Sequence, residues 1–392
     1  MNAPALGYGL SFHDLYDRDG LARLDAAFVA WLKDANVEVH ARLMGARTAP
    51  EKLAVKDESN LLIELARPLE DFVGSLFGVA DEASALRAVH MKLAPLYDCK
   101  RLFVQRYVTR AIKAVDASAL DKPCVDLPVK IEDDLEGWEL AFALRVRELI
   151  GAEFKVETPT PEIAILTRYA AWALHSPEGK KQHRDGPLFK VPHRLDFEHL
   201  VPIETEMVDG VTRMMLPRPL LRHRDGFGLT DPGYDLGRAL DHANYCIWCH
   251  NQGKDSCSKG LRDRKTGQFQ KSPFGVTLAG CPLEEKISEM NLLKSEGFSI
   301  GALAMVAVDN PLVAATGHRI CNDCMKACIY QKQEPVDIPQ IETRTLKDVL
   351  ALPWGFEIYS LLTRWNPLNL RRPIPRAATG RTVLVVGLGP AG

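Results

Sequence analysis

Cys246-Ile247-Trp248-Cys249, then Cys257, then Cys281-Pro282, and last Cys321-Asn322-Asp323-Cys324-Met325-Lys326-Ala327-Cys328: seven of the nine cysteines in the chain arrive in this order within one segment. Thiolates are soft ligands, and sets of four select zinc or iron–sulfur centres. Seven thiolates and one further side chain would supply eight ligands, enough for two cubane clusters. A chain so equipped is expected to carry electrons.

Working outward, the 392 residues predict two or three domains with ample apolar content for a large core. The 49 basic and 51 acidic residues nearly cancel, which argues against a nucleic acid or an anionic membrane as partner. The opening residues lack a basic stretch followed by an apolar one, so no secretory signal is visible. No apolar run reaches the ~18 residues needed to span a bilayer. A soluble, cytoplasmic, reducing setting is the expectation, and there clustered cysteines are metal ligands more often than disulfides.

Two other metal chemistries compete. Zinc could be held by Cys246, Cys249, Cys321 and Cys324, but 71 residues separate the two pairs. Zinc ribbons place their pairs about 15–20 residues apart. A zinc site would also leave Cys257, Cys281 and Cys328 unused. Cys246-Ile-Trp-Cys249-His250 further matches the attachment pattern of c-type haem. Against haem stand the missing export signal and the five other nearby cysteines, so His250 is expected to be an outer or surface group. Cys99 and Cys124 lie far from the segment and receive no role.

The preceding sequence reads as mostly helical. Leu21, Leu24, Phe28 and Trp31 recur at three- and four-residue steps. Asn60 is placed to cap a helix running to Leu76. Further amphipathic helices are expected around Leu102 to Ile112, Trp138 to Ile150 and Ile163 to Leu174. From Lys180 to Asp235 proline, glycine and charge alternate, predicting an ordered connector anchored by Leu216, Leu220 and Phe227. A helix at Tyr234 to Ala243 should deliver the first two cysteines. Another is expected from Leu346 to Leu362.

The end of the chain changes character. Val383-Leu384-Val385-Val386 reads as a buried parallel strand, followed at once by Gly387, Gly389 and Gly392 in Gly-x-Gly-x-x-Gly order. That order after a strand is a dinucleotide fingerprint, but pyrophosphate also needs the N-terminus of the helix that follows. The chain stops at the third glycine. It is therefore expected to bind clusters, with FAD and NAD(P)H held only in a longer form.

These features together resemble the N-terminal iron–sulfur domain of the glutamate synthase small subunit, and the similar domain of dihydropyrimidine dehydrogenase. The resemblance covers about residues 236–392. It is most specific over His318-Arg-Ile-Cys321-Asn-Asp-Cys324-Met-Lys-Ala-Cys328 and Glu334-Pro335-Val-Asp-Ile-Pro-Gln-Ile-Glu342, then the linker and glycine strand. It implies two [4Fe-4S] clusters with interleaved ligands: Cys246, Cys249, Cys257 and Cys328 on one, Cys281, Cys321 and Cys324 on the other. Glu342 stands where the family places the non-cysteine ligand, with Gln340 as the alternative. The gaps of seven residues between Cys249 and Cys257 and of 23 between Cys257 and Cys281 are longer than the family's. The second gap and its approach carry Lys254, Lys259, Arg262, Arg264, Lys265 and Lys271, either a solvated insertion or a dock for an acidic electron partner.

The expected architecture is mainly α. A helical region over 1–235 precedes an α-helical ferredoxin-like domain over 236–345, a helix and linker over 346–380, and the first strand of a truncated Rossmann-type FAD/NAD(P)-binding domain over 381–392. By the resemblance, the chain is the electron-transfer portion of an NAD(P)H-dependent flavin and iron–sulfur oxidoreductase. Its partners would be an electron-donating flavin domain and an unidentified acceptor. No acid–base or nucleophilic constellation stands out, so no catalytic residue is expected. The competing class is a non-enzymatic helical scaffold whose zinc or cluster only stabilises the fold.

Overall fold

A computed structural model describes residues 6–113, 116, 120–221, 223, 224, 226–229 and 231–387. Gly389 and Gly392 lie outside the described residues. The chain is mainly helical. α1 (Arg18–Ala35) starts where the Asp17 carboxylate accepts from the Asp19 and Gly20 N–H groups, and it buries Leu21, Leu24, Phe28 and Leu32 on one stripe. α2 (Val37–Thr48) follows Asn36, which caps it. α3 (Val55–Phe77) begins after Ala54, so Asn60 is an interior residue and not its cap. Gly78, in the left-handed region at φ 66°, ends the helix. α4 (Ala80–Asp98) then runs into wider, π-type turns over Cys99–Val108, which bury Cys99, Phe103, Val104 and Val108.

α5 (Leu135–Ile150) and α6 (Pro161–His175) match the expected apolar periods, and a short α7 (Pro177–Gln182), not expected from the sequence, follows; each is entered through an Asp, Thr or Ser cap. The connector holds an unexpected antiparallel hairpin, β1 (Glu204–Val208) with β2 (Val211–Met215). Its turn is Asp209-Gly210 with both φ positive, at 51° and 80°, the geometry that matches strand twist. The expected anchors fail. Phe227 is 99% exposed, and Leu216 and Leu220 are exposed too, because neither apolar core reaches this excursion.

α8 (Leu236–Tyr245) leads into the cysteines. α9 (Ser256–Lys259), α10 (Ile287–Ser295), α11 (Ser299–Asp309), α12 (Val313–Ile320) and α13 (Asp323–Ala327) carry the segment onward. The helix expected over Leu346–Leu362 is in fact two, α14 (Ile338–Leu350) and α15 (Gly355–Leu362). Pro353 interrupts, and Gly355 folds so tightly against the preceding turn that a Cβ there would lie 2.1 Å from the Val349 carbonyl oxygen.

Two cores result. The larger runs through α1–α3 and α10–α15, with Trp365 fully buried against Phe28 and Phe72. The smaller joins the end of α4, its π-type extension, α5 and α6 around Phe142, Tyr169 and Phe189. Glu70 on α3 accepts from the Ile300 and Gly301 N–H groups at the start of α11, at 2.9 and 3.2 Å, tying the first part of the chain to the cysteine segment. Residues 383–386 form no strand and stand 62–86% exposed, since among the described residues no neighbouring strand pairs with them. Gly387 has φ 117°, open to glycine alone. Among the described residues no helix is long and apolar enough to cross a membrane.

Candidate metal centre

α8, capped by Asp235, stops at Cys246, where the backbone turns extended. Trp248 takes a left-handed φ of 51° and starts a tight turn over Cys249–Gln252. That turn aims the Trp248 N–H at the Cys246 sulfur, 3.4 Å away. Cys257 sits on α9, whose cap Asp255 accepts from the Ser258 N–H.

The long gap before Cys281 closes on itself. Leu261 N–H donates to the Leu278 carbonyl at 2.9 Å, and Gln270 and Leu278 continue the ladder. At its base Gly280, φ 84°, packs so closely that a Cβ would meet the Gly260 nitrogen at 2.5 Å. Beyond it the Cys281 N–H donates to the Cys257 carbonyl at 2.8 Å. The 23-residue insertion is thus a side excursion whose ends meet, and Cys281 lands beside Cys257 as if the insertion were absent.

The distant cysteines return by packing. α13 buries Cys324 and presents Cys328 just after its last turn. Cys257 and Cys328 share a side-chain hydrogen bond, which pulls the Cys328 thiol down to about 7 and pushes Cys257 well up. Cys246 and Cys249 stand close enough for charge on one to oppose ionisation of the other, and Cys249 is likewise opposed by Cys328. Burial is the larger cause, pushing Cys246 up to about 12 and Cys249 up to about 11. Cys246, Cys249, Cys257 and Cys328 are therefore neighbours drawn from both ends of the segment.

Cys281, Cys324 and Glu342 form a second neighbourhood. Burial raises Cys281 to about 11 and Cys324 well above its usual range, with Glu342 opposing ionisation of both. Cys321 lies exposed, its sulfur accepting from the Asp323 N–H at 3.5 Å. Gln340 is elsewhere: its side-chain oxygen accepts from the Tyr234 N–H at 2.9 Å. The residue that sequence missed is Glu285, buried and hydrogen-bonded to Glu342. Burial lifts Glu285 to about 7 and Glu342 well up, and their hydrogen bond raises Glu342 further while restraining the rise at Glu285. Its only signal was its place four residues after Cys281.

His250 is buried, with its N–H and Nδ1 both on the Ser288 hydroxyl, at 3.1 and 2.6 Å. Cys99 is buried in the smaller core and Cys124 is exposed, both remote from the seven. Among the described residues no three His, Cys, Asp or Glu side chains are gathered tightly enough to hold a single metal ion. A cubane asks for something else: four ligands spread around a shared body, one per iron. The first neighbourhood holds four thiols. The second holds two thiols and a carboxyl pair.

A family model described as the RP005 N-terminal alpha-helical domain matches residues 6–78. Uncharacterized protein RP005 of Rickettsia prowazekii (strain Madrid E) is 29% identical over 314 residues, 74% of this chain and 98% of that protein. Uncharacterized protein RP006 of the same organism is 67% identical over 81 residues, 21% of this chain. A glutamate synthase [NADPH] small chain of Mycobacterium tuberculosis (strain CDC 1551 / Oshkosh) is 35% identical over 114 residues, 29% of this chain. The matched stretches span 12% of RP006 and 20% of the small chain. No solved structure matches this chain. The likeness to the glutamate synthase small subunit is partial and at the level of the family.

Proposed function

We propose that the cysteine segment carries two [4Fe-4S] clusters and forms the electron-transfer portion of an NAD(P)H-dependent flavin and iron–sulfur oxidoreductase. The observation that carries this is the meeting of Cys246, Cys249 and Cys257 with Cys328, across some eighty intervening residues. Cys281, Cys321, Cys324 and Glu342 would hold the second cluster. Each bound cluster would take up and release single electrons.

The chain sets the conditions for that exchange. Backbone N–H groups of Trp248 at Cys246, of Leu283 and Glu285 at Cys281, and of Tyr330 and Val336 at Cys328 favour negative charge on sulfur. Such donors raise a centre's reduction potential, while burial disfavours added charge. Because most of these thiols hold their protons firmly, ligation must release protons, and loading should improve as pH rises. FAD and NAD(P)H would belong to a longer form in which Gly387, Gly389 and Gly392 open a flavin-binding domain. That domain would donate the electrons, and a further acceptor would receive them.

Anaerobic reconstitution with iron and sulfide tests the proposal. Brown protein holding about eight iron and eight sulfide per chain is expected. A colourless chain with stoichiometric zinc would instead establish the scaffold alternative, and failure to retain acid-labile sulfide would end the cluster reading.

A further inference from the structure

A cleft of about 1180 Å³ opens where α3 faces the turn after Cys249, with the insertion forming its outer lip. Its size suits a small organic ligand. Several polar groups on its walls are already engaged. Lys286 pairs with Asp309 at 3.1 Å, Asp255 accepts from the Ser258 and Ser288 N–H groups, and His250 is held by Ser288.

Two are not. Glu289, 4% exposed at the floor, takes the Ser59 hydroxyl on Oε1 at 2.6 Å, but its Oε2 has no hydrogen-bond partner. The Ser256 hydroxyl is buried nearby on the same cleft and is equally without a partner. A buried carboxylate oxygen left bare is costly, and native structures fill such positions. At the lip the charge reverses. Lys254, Lys259 and Arg264 line the cleft, and among the described residues none of them is in an ion pair.

We propose that this cleft binds a small zwitterion, its ammonium group on Glu289 and Ser256 and its acid group on the basic lip. A simple anion leaves the floor unmet, and a simple amine leaves the lip unmet. The assignment does not require a bound cluster, although Cys249 lines the cleft and Ser256 and Lys259 flank Cys257. It gives α3 a direct task, since Ser59 orients the carboxylate that receives the ligand.

The test is titration calorimetry and thermal shift on the full chain, both cluster-free and reconstituted. The probes are 4-aminobutanoate and 6-aminohexanoate, with butanoate and butylamine as single-ended controls. At least one zwitterion should bind saturably and raise the melting temperature, by at least about tenfold in affinity over either control. Glu289→Gln should weaken it about tenfold, and Lys254→Ala/Lys259→Ala should weaken it and flatten its salt dependence. If Glu289→Gln disturbs folding, the exposed Arg264→Glu gives the same answer. Binding by neither zwitterion, control affinity equal to theirs, or indifference to these substitutions overturns the proposal. Loss of clusters without loss of binding leaves it standing, and the reverse result removes it alone.

Discussion

Asp348→Ala should be among the most damaging single substitutions in the molecule. Asp348 and Lys294 are both fully buried, and their side chains form an ion pair between α14 and α10. Arg344 adds a second cation, its Nη2 2.6 Å from Asp348 Oδ1. His90 on α4 completes the group. Its Nδ1 must carry hydrogen, because the Leu86 carbonyl 2.9 Å away can only accept, which leaves Nε2 to accept from Lys294 at 2.9 Å.

The pair is asymmetric. Asp348 has two cations around it, whereas among the described residues Lys294 is paired directly with Asp348 and feels Glu70 more weakly. Removing the carboxylate strands a buried ammonium and should cost about 3–5 kcal/mol. Lys294→Met leaves Asp348 with Arg344 and should cost roughly half as much. The double variant Lys294→Met/Asp348→Leu should recover at least about 2 kcal/mol of the Asp348→Ala loss, since two matched apolar groups strand no charge. Urea unfolding of the cluster-free chain, followed by circular dichroism at constant slope, measures all three. A cost below about 1 kcal/mol for Asp348→Ala, or no recovery in the double variant, would refute the electrostatic account. Burial pushes the Asp348 carboxyl up, but His90, Lys294 and Arg344 together hold it below its usual range. Its contribution is therefore present above the ordinary carboxylate pKa and lost as pH falls.

Cys321→Ser should leave about four irons per reconstituted chain with unchanged far-ultraviolet dichroism, because Cys321 is exposed and is proposed for the second cluster alone. Loss of all iron would show the two sets to be one folding unit. Glu70 has the opposite pH signature to Asp348: burial lifts it from 4.5 to about 7, so its folded state binds the extra proton. Stability from this group is full below about pH 4.5 and lost as pH rises through 7, by at most about 3 kcal/mol. Glu70→Gln should flatten that slope in urea midpoints measured from pH 5 to 8. Gly301→Ala would place a Cβ 2.6 Å from the Ala66 carbonyl oxygen, between α11 and α3. It should lower stability by about 1–3 kcal/mol in the same assay.

Local signals were legible where neighbours in sequence are neighbours in space. The stripe of Leu21, Leu24 and Phe28 and the arrival of α8 at Cys246 depend on interactions within a few residues. The Asp209-Gly210 turn was equally local, and its strands were hidden by lying in a stretch with no buried face. The split between α14 and α15 was written in Pro353 and Gly355, but apolar periodicity across it suggested one helix.

By itself the sequence determined a helical chain with a thiol-rich segment suited to iron, because ligand chemistry and helix periodicity are properties of residue type and spacing. Only the tertiary structure decided which thiols meet, that the insertion folds aside at Gly260 and Gly280, and that Glu285 joins Glu342. It alone exposed Val383–Val386, and it alone closed one core over the first helices and the cysteine segment. Those outcomes rest on burial and on contacts between residues far apart in the chain, whose free energy no local pattern encodes.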